Sequence, residues 1–207
     1  MKSLSYPITS ALVARGFTYP EFVQLTEKLV QENRTTGANQ SEEYLGYTRL
    51  NLQRMGRWNK TSQVSAPLEQ LMRSVNRPQV WLLITEAWCG DGAQSIPHLA
   101  KLAALNPLIS LKIVLRDEHP ELMDAYLTNG ARSIPKLIAI TADLQQELFT
   151  WGPKPQFLLD RHAAYKQNPE GLSYLEFKEQ IHLWYAKNKQ KDLESEIYPL
   201  ISSTLIL

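Results

Sequence analysis

Residues 85–94 read TEAWCGDGAQ and hold Cys89, the only cysteine in a chain of 207 residues. A thiol becomes a strong nucleophile once ionised, so the chemistry turns on what surrounds the sulfur. Cys89 follows a near-continuous apolar run, QVWLLITEAW (79–88), and precedes GDGAQSIPHLAKLAAL, a helical pattern closed by Asn106–Pro107. A cysteine at a helix start faces unpaired N–H groups and the positive end of the helix dipole. The first-turn amides at Gly90, Asp91 and Gly92 therefore favour a thiolate. The Asp91 carboxylate opposes it by like charge. With one cysteine, a dithiol cycle and an intrachain disulfide framework are both excluded. A monothiol route remains, in which Cys89 attacks a disulfide or holds glutathione as a mixed disulfide.

The other chemistry-bearing residues point nowhere so definite. His98 lies nine positions along the same helix, ~13 Å away at 1.5 Å per residue, too far to activate the sulfur locally. His119 precedes a helix-starting proline, and His162 and His182 fall in helical patterns. No H-x-x-x-H or Cys/His pairing suggests a metal, and none is expected. Arg49, Arg54 and Arg57, with Lys60 just beyond, follow Glu42 and Glu43 in a chain of net charge +1. They read as a solvated helix face, and nucleic acid is not expected as a partner. The 43% apolar and 21% charged composition is that of an ordinary globular chain. Pro7, Thr9 and Ser10 interrupt the N-terminus before a signal-peptide core could form, and no run of ~18 apolar residues exists, so the expected compartment is the cytoplasm.

The elements that must position Cys89 are legible in outline. PEFVQLTEKLVQENR places Phe22, Leu25, Leu29 and Val30 on one helical face, with Pro20 in its first turn. SEEYLGYTRLNLQRMGRWNK repeats the pattern with Tyr44, Tyr47 and Leu50, and Ser41 stands as its cap. APLEQLMRSVN is a third, shorter helix. After Pro78 the period changes: 79–88 reads as a strand buried on both faces, SLKIVLRD (110–117) as a second strand, and HPELMDAYLTNG as a helix stopped by Gly130. PKLIAIT and QELFTW, joined around ADLQ, form a hairpin. A helix follows near Pro155, and a last one carries Tyr174, Phe177, Ile181 and Trp184 as a docking stripe. The tail YPLISSTLIL is expected to dock on the body.

This order, with its residues, resembles the thioredoxin family. Trp88-Cys89-Gly90 is similar to the segment that opens the thioredoxin active site, and Pro97 falls where that helix carries a kinking proline. ARSIPKL (131–137) resembles the cis-proline loop, and Gly152 a glycine near the end of the last strand. The likeness spans about 79–167 and is closest to bacterial thioredoxin-like proteins with extra helices and a W-C-G-D segment. It implies a thioredoxin-like α/β fold: a four-stranded mixed sheet with helices on both faces, between a helical extension at 1–78 and a helix and tail at 168–207. It also implies that the Ile134–Pro135 bond is cis, that Ile134 offers its backbone beside the sulfur, and that Trp88, Ile134 and Pro135 form the substrate corner for an added strand.

The departures from the family pattern are specific. Gly92 stands in place of the second cysteine, Asp91 in place of the usual proline, and Leu83 in place of the buried acid. C-G-F-S, the mark of cluster-binding monothiol glutaredoxins, is absent. The threonine of peroxiredoxins would lie three residues before the cysteine, whereas Thr85 is four before. The acidic-serine pair of glutathione transferases is also missing from KLIAITADL. Two functions follow. One is monothiol redox chemistry at Cys89 on a disulfide-bearing protein or glutathione, with no cofactor beyond glutathione as co-substrate. The other is a non-catalytic module that binds a peptide or partner protein in the cis-proline groove. The flanking helices could also build an oligomer interface.

Overall fold

The computed structural model describes residues 2–205. Its centre is β2 (Gln79–Thr85), all seven residues of which are buried. β3 (Ile109–Leu115) pairs with it in parallel, Gln79 opposite Ile109 and Thr85 opposite Leu115. β4 (Lys136–Thr141) pairs antiparallel on the other side, and β5 (Gln146–Trp151) antiparallel to β4. Because side chains alternate across a strand, β2 feeds two cores. Trp81 and Leu83 point to one face with Phe22, Met55, Leu68 and Leu193; Val80, Leu82 and Ile84 point to the other with Ile8, Leu122 and Met123.

The sheet has five strands rather than four. β1 (Lys2–Ser3) adds antiparallel to β5, giving the order β1-β5-β4-β2-β3. Two residues are too few to show an alternating pattern, so sequence carries no trace of this strand. A short helix α1 (Ser10–Arg15) follows it, capped by Thr9. α2 (Tyr19–Gln31) starts with a reciprocal Thr18–Glu21 capping box and buries Phe22, Thr26 and Leu29.

In α3 (Glu42–Thr61) the buried face is Leu45, Thr48, Asn51, Met55 and Trp58, not the Tyr44–Tyr47–Leu50 stripe. Two polar residues are acceptable there because each is hydrogen-bonded: Thr48 donates to the Tyr44 carbonyl, and Asn51 Nδ2 donates to the Ala87 carbonyl at 3.0 Å. Ser41 sits at the N-cap of α3 without a side-chain capping bond. α4 (Ala66–Ser74) completes the N-terminal helices.

α5 (Gly90–Ala104), with Pro97 inside it, packs along α3. After β3 comes α6 (Pro120–Ala125), which ends short of Gly130, a positive-φ turn residue. α7 (Gln156–Gln167) and α8 (Tyr174–Asn188) pack through Leu158, Phe177, Ile181 and Tyr185. Of the expected α8 stripe, Tyr174 is exposed and Trp184 half-buried. The tail forms a further helix, α9 (Lys191–Ser203), seated by Leu193, Ile197 and Ile201; its last two residues, 206–207, lie outside the described residues. No helix among the described residues is long and apolar enough to cross a membrane.

Candidate functional site

β2 ends at Thr85, and a four-residue turn leads into α5 with Cys89 as its N-cap. The turn is held from outside. Thr36 Oγ1 accepts from the Ala87 N–H at 2.9 Å, Asn51 donates to the Ala87 carbonyl, and Cys89 N–H donates to the Glu86 carbonyl at 3.0 Å. Glu86 is itself 1% exposed; its Oε1 accepts from the Asp117 N–H, and burial holds its carboxyl above the ordinary range. Sequence reading missed Glu86 as a buried acid because nothing local marks it as covered.

The sulfur sits between the two features expected to matter. Gly92 N–H donates to Sγ at 3.3 Å, and the thiol donates to the Ile134 carbonyl at 3.3 Å. The Ile134–Pro135 bond is cis, as is Gly152–Pro153. Gly152 is required beside this corner: its φ is +110°, and a Cβ there would lie 2.3 Å from the Pro135 carbonyl oxygen.

Burial works against the thiolate that the Gly90–Asp91–Gly92 turn favours: Cys89 is 6% exposed and its thiol is pushed up to about 12. Burial is the largest cause and the Asp91 charge the second. The Gly92 N–H, the Thr85 hydroxyl and Lys154 pull the other way and do not prevail. Of the three first-turn residues only Gly92 contributes a hydrogen bond to the sulfur.

Asp91 has a structural partner set that sequence could not show. Its Oδ2 is 2.6 Å from Lys154 Nζ, and its Oδ1 accepts from the Tyr185 hydroxyl at 2.8 Å. Lys154 follows the second cis-proline, and Tyr185 comes from α8. Asp91 is therefore the clasp that ties the start of α5 to the C-terminal helices. Tyr185 is buried and held well above its ordinary value by burial and then Asp91.

Trp88 stands half-buried between Tyr44, with ring centroids 5.0 Å apart, and the Arg116 guanidinium, 4.7 Å above the indole. Trp88, Cys89, Ile134 and the N-terminus of α5 line a cleft of about 800 Å³. Its far walls come from α3 (Tyr44, Tyr47, Leu50 and Arg54), α7 and α8. Thus Tyr44 and Tyr47 of α3 and Tyr174 of α8, which read as core, line a cleft instead, whereas Phe177 is buried as expected. Arg54, read as part of a solvated face, is half-buried in it. His162 and His182 also line the cleft, both held below their ordinary value mainly by burial, His182 down to about 4. Pro135 itself does not line the cleft; it meets the corner through its cis bond to Ile134.

His98 is elsewhere. It is fully buried, its Nδ1 2.5 Å from Ser62 Oγ and its Nε2 2.9 Å from Glu194 Oε1. It joins α9 to the end of α3, and no described cleft reaches it. Among the described residues no cluster of three or more His, Cys, Asp or Glu side chains could hold a metal.

The family model for thioredoxin matches residues 37–166. No curated protein matches the chain. Among solved structures, the chain is similar to a protein of unknown function from Pseudomonas aeruginosa, at 16% identity, with 96% of both chains covered and a TM-score of 0.57. It is similar also to the crystal structure of an HIV epitope scaffold, again at 16% identity and 96% of both chains, with a TM-score of 0.56. At that identity the likeness speaks for the fold, flanking helices included.

Proposed function

The chain belongs to the thioredoxin family, and from that premise we propose that it is a binding protein whose ligand seats in the cleft over the Trp88–Cys89 and Ile134–Pro135 corner, with Cys89 as a resting, protonated thiol. The observation that carries this reading is the cleft itself. It has the volume of a small-molecule site, and its outer walls are α3, α7 and α8, of which α8 lies outside residues 37–166, the stretch that the thioredoxin family model matches. The thiol meanwhile is tied to the Ile134 carbonyl, one of the backbone groups a docking peptide would use.

Thiol–disulfide chemistry is the second reading, favoured by the Gly92 N–H on Sγ and by the position of Cys89 at the cleft wall. In it Cys89 loses its proton to solvent and attacks one sulfur of glutathione disulfide. A bond forms between Cys89 and that sulfur, the original sulfur–sulfur bond breaks, and the other glutathione leaves as a thiolate that takes up a proton.

Incubating the native protein with glutathione disulfide separates the two. The binding reading expects the unmodified mass after hours at neutral pH, with the mixed disulfide appearing only on unfolding. Mixed-disulfide formation within minutes in the folded protein would hand the site to the second reading.

A further inference from the structure

We propose that the cleft beside Cys89 takes a small organic polyanion, a molecule with two or more carboxylate or phosphate groups, gripped by Arg54, Lys166 and Lys178. This deepens the binding reading above and rests on it. The chain as a whole is nearly neutral, with 22 Lys and Arg against 21 Asp and Glu. The cleft is not: six of its lining residues are Lys or Arg, and only Asp91 and Glu179 are acidic. Concentrated charge of one sign in a concave, partly desolvated site is what draws an oppositely charged small molecule.

The six cations divide into two groups. Arg116, Arg132 and Lys154 already hold carboxylates, those of Asp117, Asp124 and Asp91, at 2.8, 2.6 and 2.6 Å. Arg54, Lys166 and Lys178 have no carboxylate within 4.0 Å among the described residues. Arg54 is half-buried, and of its five N–H donors one is engaged, Nη1 to Asn51 Oδ1 at 3.0 Å. Burial and the neighbouring Arg57 bear against its charge and Asp91 offsets them only in part, so an anion beside it would supply the missing compensation. Lys178 reaches the Tyr47 hydroxyl at 2.6 Å and lies 4.1 Å above the Tyr47 ring and 5.5 Å from that of Tyr174. These contacts fix the ammonium in place with no carboxylate in direct contact; Glu43 reaches it only through the Tyr47 hydroxyl, which donates to that carboxylate. An ~800 Å³ cleft fits an organic molecule better than an inorganic ion alone.

Titration calorimetry on the full chain, with citrate, ADP and glutathione as separate probes, tests this and distinguishes carboxylate from phosphate sources. At least one probe should bind with a Kd under about 1 mM at physiological salt and weaken as salt rises. The double variant Arg54→Gln/Lys178→Gln should bind it at least tenfold more weakly, and Lys60→Gln, at an exposed position outside the cleft, should bind it as the native chain does. If the double variant unfolds, Lys166→Gln, at an exposed position, carries the test with a several-fold loss. Absence of binding by all three probes, binding indifferent to these cations, or binding weakened equally by Lys60→Gln would overturn the proposal. Its failure is separable from that of the binding reading. Rapid reaction of Cys89 with polyanion binding intact would sink only the resting thiol, and an unreactive Cys89 without anion binding would sink only the polyanion.

Discussion

Replacing Gly92 by cysteine would restore the second sulfur at the one position where this fold can use it. A Cβ built on Gly92 lies 3.3 Å from Cys89 Sγ. In a relaxed disulfide the corresponding Cβ-to-sulfur separation is about 3.0 Å, given an S–S bond of about 2.05 Å and a near-tetrahedral angle at sulfur. The bond therefore forms with a shift of a few tenths of an ångström. The obstacle is Thr85, whose hydroxyl would be 2.7 Å from the new Cβ in a site with no exposed surface. Overpacking of that kind costs on the order of 1–3 kcal/mol. Closing a four-residue loop returns about 2 kcal/mol by restricting the unfolded chain. The oxidised Gly92→Cys variant should then melt close to the native protein, and its reduced form several degrees lower. Thiol titration with and without denaturant is the assay. The oxidised variant should show no thiol even when unfolded and two after reduction. A folded variant that keeps two free thiols in oxidising buffer would refute the geometry argued for this corner.

Two further outcomes follow from the charges around the site. Asp91→Asn removes the repulsion that helps to raise the Cys89 thiol and leaves Lys154 facing the sulfur alone, so the thiol value should fall in an alkylation profile. It also strands a largely buried lysine, and denaturant unfolding should report a loss on the order of 3 kcal/mol. His182 is held down to about 4, first by burial and then by Arg54, so the folded chain resists a proton that the unfolded chain accepts near pH 6.5. Its contribution to stability is complete above that pH and is lost as pH falls from about 6.5 toward 4. The melting temperature of His182→Gln should accordingly decline less than that of the native protein across this window; identical slopes would show that His182 carries no such linkage.

The central unit was legible because its signals are local. The switch from helical period to the apolar run 79–88 marks β2, and the turn that follows places Cys89 at the start of α5. The family likeness then located Ile134–Pro135 and Gly152. Burial, the largest influence on the thiol, is non-local, and so are the partners that fix the Asp91 charge beside it. Lys154 and Tyr185 reach Asp91 only when α7 and α8 fold back, and no pattern within 85–94 announces them. The face of α3 was misread for a related reason. Tyr44, Tyr47 and Leu50 are the apolar stripe, but Thr48 and Asn51 bury because partners at Tyr44 and Ala87 satisfy them, which turns the aromatic residues toward the cleft. A sequence lists side chains; it does not show which hydrogen-bond partners make a polar face buriable.

The central claim is that Cys89 rests as a protonated thiol on the wall of a binding cleft. The most direct test is the rate of iodoacetamide alkylation of the native protein across pH, with the unfolded protein as reference. With the thiol pushed up to about 12, the native rate at neutral pH should be roughly 10³-fold or more below that of the unfolded chain, and should still be rising at pH 10. A native rate equal to or above the unfolded rate, levelling off below pH 8, would contradict the account and establish Cys89 as a reactive thiolate.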